Sequence, residues 1–235
     1  MATQAVFERV ESSNTQARSL RLIWKDPETS RYHEVGWFTQ KEAGSYRFQY
    51  SPQLPESFEL LAQFPLPDKV YDSEDLPAFF ANRVMSRGRA SYSRYVEWLG
   101  LDTSALPVEL LARTGGGRVT DTFHLVDSFA MDAVNNEGRF FVSGIQHTDN
   151  GLKLAEALHA GQQISMEDEP SNPHNPRAIL LVVGGNKLGW VPDWLVDDIH
   201  RLRALGEVRI FVDQVNREAP ARLRVLCRLV HSIRS

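Results

Sequence analysis

The chain has 235 residues, of which 24% are charged and 42% are hydrophobic, a composition typical of globular proteins and unlike that of disordered chains. This length suits two domains of about 100 to 120 residues each. No apolar segment approaches the roughly 18 residues that span a bilayer, and the first residues lack the pattern of a signal peptide. The single Cys227 excludes an internal disulfide and predicts a core residue in a reduced, cytoplasmic protein.

The net charge of −4 is unevenly distributed along the chain. Residues 1–137 hold 14 Lys and Arg against 19 Asp and Glu, whereas residues 138–235 hold 12 against 11. The last segment, 201–235, carries eight Arg and three acidic residues. A basic segment of this kind is compatible with a surface that binds nucleic acid. More commonly, such a segment is only a basic face exposed to solvent.

The N-terminal half predicts a small α+β domain over residues 17–112, after a flexible stretch at 1–16. Three alternating segments, SLRLIWKD, YHEVGWFT and SYRFQYS, predict a meander of three strands, with Gly44 in the second turn. The proline-rich residues 52–72 predict an irregular connector. A helix is predicted from Ser73, with Leu76, Phe79, Phe80 and Val84 on one face. A second short helix is predicted over SYSRYVEWLG, ending at Gly100.

The segment 113–137 is predicted to link the two domains, with the boundary in the polar stretch Asp132–Gly138. Its glycine run, Gly115–Gly117, lacks the Lys-Ser/Thr pair and the following helix that a phosphate-binding loop requires. We therefore interpret this run as a hinge or tight turn.

The C-terminal segment, 138–235, predicts a small, partly closed β-barrel with flanking helices. Its strands are RFFVSGIQH, QQISMEDE, a hairpin of AILLVV and KLGWVP around Gly184 and Gly185, EVRIFVDQV and ARLRVLCRLV. One helix is predicted over GLKLAEALHAG. A second, amphipathic helix is predicted over PDWLVDDIHRLRALG, with Leu195, Ile199 and Leu202 facing the core.

The sequence contains no recognisable catalytic or cofactor-binding motif, and we predict neither catalytic nor metal-binding residues. No pair among the seven histidines has the spacing of a zinc-binding helix with a Glu between them, and a structural zinc site needs more than one cysteine. Three consecutive acids, Glu167–Glu169, have oxygen ligands suited to a hard cation, but at the end of a strand they point to alternating faces, which favours a solvated rim.

The loop Glu169–Ile179, EPSNPHNPRAI, has the composition of a preformed binding site. Its prolines restrict the backbone, so Asn172, His174, Asn175 and Arg177 lose little entropy on engaging a phosphate or a hydroxyl. The alternative is a loop that caps the barrel, in which Asn172 and Asn175 hydrogen-bond their own backbone as turn residues. The residues alone do not separate these two hypotheses.

Residues 138–231 resemble the HIRAN domain in FFVSGIQH, in the helix ending at LHAG, in EPSNPHNPRAI and in KLGWVP. The resemblance implies a modified OB-like barrel that binds single-stranded DNA or a DNA 3′ end without chemistry of its own. Asn172 matches the asparagine of the family's loop, and His174 falls where a base-stacking tyrosine often lies. Gln146 and His147 fall where the first strand contacts DNA, and Trp190 takes the aromatic position of the Leu-Gly-x strand.

Two positions depart from the HIRAN pattern, and both change the chemistry of the loop. The usual aspartate is Asn175 here, and the usual asparagine before Ala-Ile is Arg177. Losing a carboxylate and gaining a cation favours a phosphate over a 3′-hydroxyl.

Residues 18 to about 112 resemble the N-terminal subdomain of HipA-type toxin kinases in Val35-Gly36-Trp37, YRFQYSP and LPAFFANRVM. In that family the subdomain packs on the kinase body and takes no catalytic part. The resemblance implies that this region docks a protein partner.

We therefore predict a non-enzymatic, cofactor-free DNA-binding protein. Arg222 and Arg224 are expected on one face of a final strand, together with Arg228, where they can follow phosphates. The alternative is a protein-interaction regulator of a HipA-like kinase that does not bind nucleic acid, as the acidic N-terminal half suggests.

Overall fold

The computed structural model describes residues 18–41, 44–129 and 135–233, which form two antiparallel sheets. The predicted flexible stretch at 1–16 lies outside these ranges. The first sheet has the order β4-β3-β2-β1-β5. Its strands are β1 (Arg18–Lys25), β2 (Tyr32–Gln40), β3 (Tyr46–Tyr50), β4 (Tyr71–Ser73) and β5 (Phe123–Asp127). The predicted three-stranded meander is confirmed as β1 to β3.

The first sheet buries an aromatic core because its strands alternate apolar and polar residues. Phe38 from β2, Phe48 from β3 and Phe80 from the following helix are almost fully buried. The rings of Phe38 and Phe80 are stacked with centroids 3.9 Å apart. These contacts explain why the segment around Phe80 packs on the sheet.

Three short helices follow the meander: α1 (Ala78–Ala81), α2 (Tyr92–Trp98) and α3 (Pro107–Thr114). The helix predicted from Ser73 is wrong in its bounds, because Ser73 pairs with Tyr46 at the end of β4 and helical backbone begins only after Pro77, which is extended. Proline disfavours helical backbone in the preceding residue, here Leu76. The predicted helix before Gly100 is confirmed as α2.

The helix α3 was not predicted, although its ends carry recognisable signals. Pro107 occupies the first turn, and the Glu109 carboxylate accepts a hydrogen bond from the backbone N–H of Leu106 at 2.7 Å. Gly115 and Gly116 end the helix with φ of 72° and 59°, which confirms the predicted tight turn. The next strand, β5, lies inside the predicted linker and pairs with β1.

The second sheet has six strands in the order β6-β11-β10-β7-β8-β9. These strands are β6 (Asn135–Phe141), β7 (Gln163–Asp168), β8 (Ile179–Val183), β9 (Asn186–Trp190), β10 (Gly206–Val215) and β11 (Val225–Ile233). The two edges of this sheet meet where Ser143, just after β6, exchanges two backbone hydrogen bonds of 2.8 Å with Trp190. The predicted hairpin around Gly184 and Gly185 is confirmed.

Two helices flank the second sheet, α4 (Gly151–Ala157) and α5 (Asp193–Leu205). The predicted inward residues of α5, Leu195, Ile199 and Leu202, are buried, and so is Cys227 on β11. The predicted α+β class is thereby confirmed. Within the described ranges, no helix combines the length and the apolar character that crossing a bilayer requires.

The two sheets pack against each other through β1, β5 and α5. Ile23 and Val126 of the first sheet belong to the core of the second. The imidazole of His124 stacks on the indole of Trp194, with ring centroids 4.2 Å apart. Of the predicted boundary Asp132–Gly138, residues 132–134 lie outside the described ranges, whereas residues 135–138 begin β6 and pair with β11.

Candidate nucleic-acid interface

The proline loop between β7 and β8 is shaped by its own asparagines. The Asn172 Oδ1 atom accepts hydrogen bonds from the backbone N–H groups of His174 and Asn175, at 2.9 and 3.2 Å. The Asn175 Oδ1 atom accepts from the N–H of Arg177 at 2.9 Å. Both amides therefore act as turn residues, as the second of the two hypotheses for this loop predicted. His174 is exposed between them.

Glu169 joins this loop to the neighbouring hairpin. Its carboxylate accepts hydrogen bonds from Trp190 Nε1 at 2.7 Å, Asn172 Nδ2 at 2.8 Å and Lys187 Nζ at 3.0 Å. These donors, led by Asn172 and Trp190, lower the pKa of Glu169 to about 2. Its side chain is only 19% exposed. The interpretation as part of a solvated rim is therefore wrong for Glu169.

Asp168, beside Glu169 on the other face of the strand, has a different environment. Its carboxylate pairs with Arg203 at 2.5 Å, and this hydrogen bond holds the pKa of Asp168 below its usual range. Within residues 18–41, 44–129 and 135–233 no three His, Cys, Asp or Glu side chains converge as metal ligands.

The indole of Trp190 packs directly on Gly144. A Cβ atom at Gly144 would lie 2.7 Å from the indole ring, so only glycine allows this approach. Gly144 has φ of 68°, and this left-handed residue turns the chain out of the strand region. Gln146 and His147 were predicted on the first strand of this domain. They lie instead in the 3₁₀ helix Ile145–His147 that follows the turn, and both are exposed.

The structure brings five of the nine predicted site residues into one connected surface. His147 neighbours Gly144, which lies under Trp190, and Trp190 is joined through Glu169 to Asn172. We call this surface the indole site. It consists of Gln146, His147, Glu169, Asn172, His174 and Trp190.

Asn175 and Arg177 are held instead by acidic residues of α5. Asn175 Nδ2 donates to Asp193 at 3.2 Å, and Arg177 Nε donates to Asp197 at 2.8 Å. The Arg177–Asp197 pair is exposed, and such pairs contribute little to stability. Arg177 therefore remains available for an anionic ligand at small cost.

The expectation that Arg222 and Arg224 share one face of a strand is wrong. Residues Ala221–Leu223 form a 3₁₀ helix, and β11 starts only at Val225. The turn is stabilised by Asn216, whose side-chain amide donates to the carbonyl of Leu223 at 2.7 Å. A local hydrogen bond of this kind competes with strand pairing.

The two arginines consequently have different environments. Arg224 is largely buried and donates to the carbonyl of Arg217 at 2.5 Å. Arg222 is exposed, and its 3₁₀ helix lies against the one that carries Gln146 and His147. Arg222 therefore borders the indole site, whereas Arg224 is a structural residue. Arg228, expected on the same face, pairs with Asp213 at 3.7 Å.

Two family models match the chain. The family model of the HIRAN domain matches residues 136–234, and that of the HipA N-terminal domain matches residues 30–119. No curated protein matches the chain.

Two solved structures are similar to part of the chain. A crystal structure of a protein from Lactobacillus plantarum covers 43% of this chain and 99% of its own, with 14% identity and a TM-score of 0.34. The crystal structure of the HIRAN domain of human HLTF covers 42% of this chain and 74% of its own, with 17% identity and a TM-score of 0.30. The chain thus combines a HipA N-terminal domain at residues 30–119 with a HIRAN domain at residues 136–234, as both resemblances predicted.

Proposed function

We propose that the chain is a DNA-binding protein whose HIRAN domain receives the end of a single strand at the indole site. A HIRAN domain indicates nucleic-acid binding. The observation that carries the proposal for this chain is the Glu169 carboxylate, which holds the Trp190 indole and the Asn172 loop in one arrangement. A site organised before binding loses less entropy when the ligand arrives.

The exposed groups of the indole site suit a base and its terminal sugar. The exposed imidazoles of His147 and His174 offer ring faces on which bases stack, a contribution of about 1–3 kcal/mol per base. The half-buried indole of Trp190, which packs on Gly144, is part of the same surface. Arg177 and Lys187 supply cations at the border for a phosphate. These groups favour a nucleic-acid end over a neutral peptide.

The HIRAN family usually has an aspartate at the position of Asn175. In this chain Glu169 takes over its role as the carboxylate that can accept a hydrogen bond from the ligand. An ionised carboxylate accepts about four hydrogen bonds, and Glu169 has three protein donors, so it keeps capacity for a hydroxyl donor. Asn175 and Arg177 favour a strand that ends in a phosphate. Glu169, in contrast, favours one that ends in a 3′-hydroxyl.

The test measures fluorescence anisotropy of the purified chain with single strands ending in 3′-hydroxyl, 3′-phosphate or a 3′ duplex, at two salt concentrations. We expect end-dependent binding, weakened about 10-fold by His174→Ala through loss of one stacking surface. His159→Ala, which alters another exposed histidine, is the matched control and should bind normally. Failure of the wild-type chain to bind any of the strands at low salt would overturn the proposal.

We further propose that the chain has no catalytic activity of its own, acts in the cytoplasm and docks a protein partner through its N-terminal domain. The match of residues 30–119 to the HipA N-terminal domain motivates the docking surface. The buried, reduced Cys227 motivates the compartment.

A second candidate is a regulator of a HipA-like kinase that does not bind nucleic acid, and the same match favours it. Mixing the chain with a purified HipA-type kinase separates the two functions. Co-elution from a size-exclusion column, together with no anisotropy change for any oligonucleotide, would select this second candidate. Oligonucleotide binding without co-elution would select the first.

A further inference from the structure

A cleft of about 790 Å³ lies between the two domains and is lined by six arginines. The arginines come from both domains: Arg83, Arg89, Arg113, Arg118, Arg139 and Arg222. Asp127 is the one acidic residue among the described residues that line it. We call this feature the arginine cleft. Its charge is opposite to the net charge of −4 for the whole chain.

Most of these arginines are not neutralised by the protein. Arg83 pairs with Asp121 at 2.6 Å, and Arg139 pairs with Asp213 at 2.7 Å. Within the described part of the chain, the other four have no ion pair and no side-chain hydrogen bond: Arg89, Arg113, Arg118 and Arg222. Asp127, the acid of the cleft, is itself paired with Arg18 at 2.8 Å.

Arg113 is the most buried of the unpaired arginines in the cleft. Its Nη1 atom is buried without a hydrogen-bond partner. Burial, followed by the nearby Arg139 and Arg18, lowers the pKa of Arg113 to about 10. A buried cation without a partner is costly, and an anion in the cleft would remove this cost.

The arginine cleft is continuous with the indole site. Ser143 and Gly144 line the cleft, and Gly144 also carries the ring of Trp190. Arg222 also lines the cleft, on the 3₁₀ helix that contacts Ile145–His147. Arg89 and Arg118, which lie within the match to the HipA N-terminal domain, line the same cleft.

We propose that the arginine cleft holds the phosphodiester backbone of the strand whose end binds at the indole site, so that the N-terminal domain takes part in DNA binding. This inference rests on the proposed function. A strand fits better than a small anion because several unpaired arginines, from both domains, line one cleft, so that successive phosphates can each meet a cation. The guanidinium groups of Arg89 and Arg118 recognise phosphate without reading the base sequence.

The test compares Arg89→Gln, Arg118→Gln and the double variant with the wild-type chain. Both side chains are exposed and unpaired, so folding should be retained. Arg31→Gln is the matched control, because Arg31 is an exposed, unpaired arginine of the same domain that does not line the cleft. Binding is measured over a salt series with oligonucleotides of about 4 and about 16 nucleotides, the range of site sizes known for OB folds.

With the longer strand, we expect each substitution to lower the slope of log affinity against log salt by about 0.7, and the double variant by about 1.4. The short strand, which fills the indole site alone, should bind all variants alike. Unchanged slopes in the double variant would overturn the cleft proposal while leaving the DNA-end proposal intact. No binding of either strand by the wild-type chain would overturn both, and equal losses for the two lengths would indicate a small-anion site instead.

Discussion

The indole Nε1 of Trp190 donates a hydrogen bond to the Glu169 carboxylate at 2.7 Å, across 21 positions of the chain. The same carboxylate accepts from Asn172 in the proline loop. One half-buried acid therefore couples the loop to the end of β9. Removing its charge should loosen both, which makes Glu169 the first position to test.

For Glu169→Gln, we expect the free energy of unfolding to depend less on pH than in the wild-type chain. The folded-state pKa of Glu169 is about 2, below the ordinary value of about 4.3. Its stabilisation is therefore complete above pH 4.3 and is lost as the pH falls towards 2, by about 2 kcal/mol in total. Urea denaturation at several pH values measures the difference between the two chains.

Glu167→Gln is the control for this measurement, because Glu167 is an exposed neighbour on the same strand. Its pH dependence should match that of the wild-type chain. If Glu169→Gln also matches the wild-type chain between pH 4.3 and 2, the carboxylate does not hold the loop.

For Gly144→Ala, we expect a larger loss of stability than for Gly161→Ala. Both glycines have positive φ, of 68° and 83°, so alanine adds about 1 kcal/mol of backbone strain at either position. A Cβ at Gly161 meets nothing within 4 Å, whereas one at Gly144 meets the Trp190 ring at 2.7 Å. The clash should add about 1–3 kcal/mol, as overpacking does. Denaturation of both variants checks this, and equal losses would contradict the packing of Trp190 on Gly144.

Sequence patterns correctly predicted the structural features that depend on residues close together in the chain. The hairpin required positive φ at Gly184 and Gly185, and both have it, at 55° and 77°. The apolar residues of α5 recur at helical spacing in the sequence, which predicted its buried face. Of these residues, Ile199 and Leu202 are fully buried. In each case the determining contacts lie within a few residues of one another.

Features that depend on distant partners could not be predicted in this way. Glu169 looked like a surface acid because its partners Lys187 and Trp190 reach it only when the hairpin folds. The alternation around Arg222 and Arg224 suggested a strand, but the Asn216 side chain stabilises a turn there. The arginine cleft combines residues of both domains, and no periodicity indicates such a combination.

For His124→Phe, we expect the loss of a pH-dependent step between pH 6.5 and 4. Burial, followed by the nearby Arg83, lowers the pKa of His124 to about 4, from an ordinary value of about 6.5. The unfolded chain binds this proton first, so the contribution is complete above pH 6.5 and is lost as the pH falls towards 4. The wild-type chain should lose about 2 kcal/mol across this range.

Phenylalanine at position 124 keeps a ring against Trp194 and cannot bind a proton. Urea denaturation from pH 7 to 4 measures the step. His159→Ala, at an exposed histidine, is the control and should keep it. A step that persists in His124→Phe would show that another group is responsible.

The last prediction concerns the ion pair that joins the domains. Arg21 of β1 pairs with Asp198 of α5, and Asp198 also pairs with Arg201. The side chains of Arg21 and Asp198 are 11% and 2% exposed, whereas Arg201 is 59% exposed. Removing one partner of a buried pair costs about 3–5 kcal/mol when the other charge is left without a partner. Arg21→Met leaves the buried Asp198 with only the exposed Arg201 as its partner. We therefore expect Arg21→Met to destabilise the chain by about 3 kcal/mol, at the lower end of that range.

Two further variants separate the charge from the packing in this prediction. Arg201→Gln removes only the exposed partner and should cost less than about 1 kcal/mol. The double variant Arg21→Met with Asp198→Leu removes both buried charges, and it should be more stable than Arg21→Met alone. Urea denaturation of the wild-type chain and these three variants tests all three expectations. If Arg21→Met costs no more than Arg201→Gln, the buried pair does not hold β1 against α5.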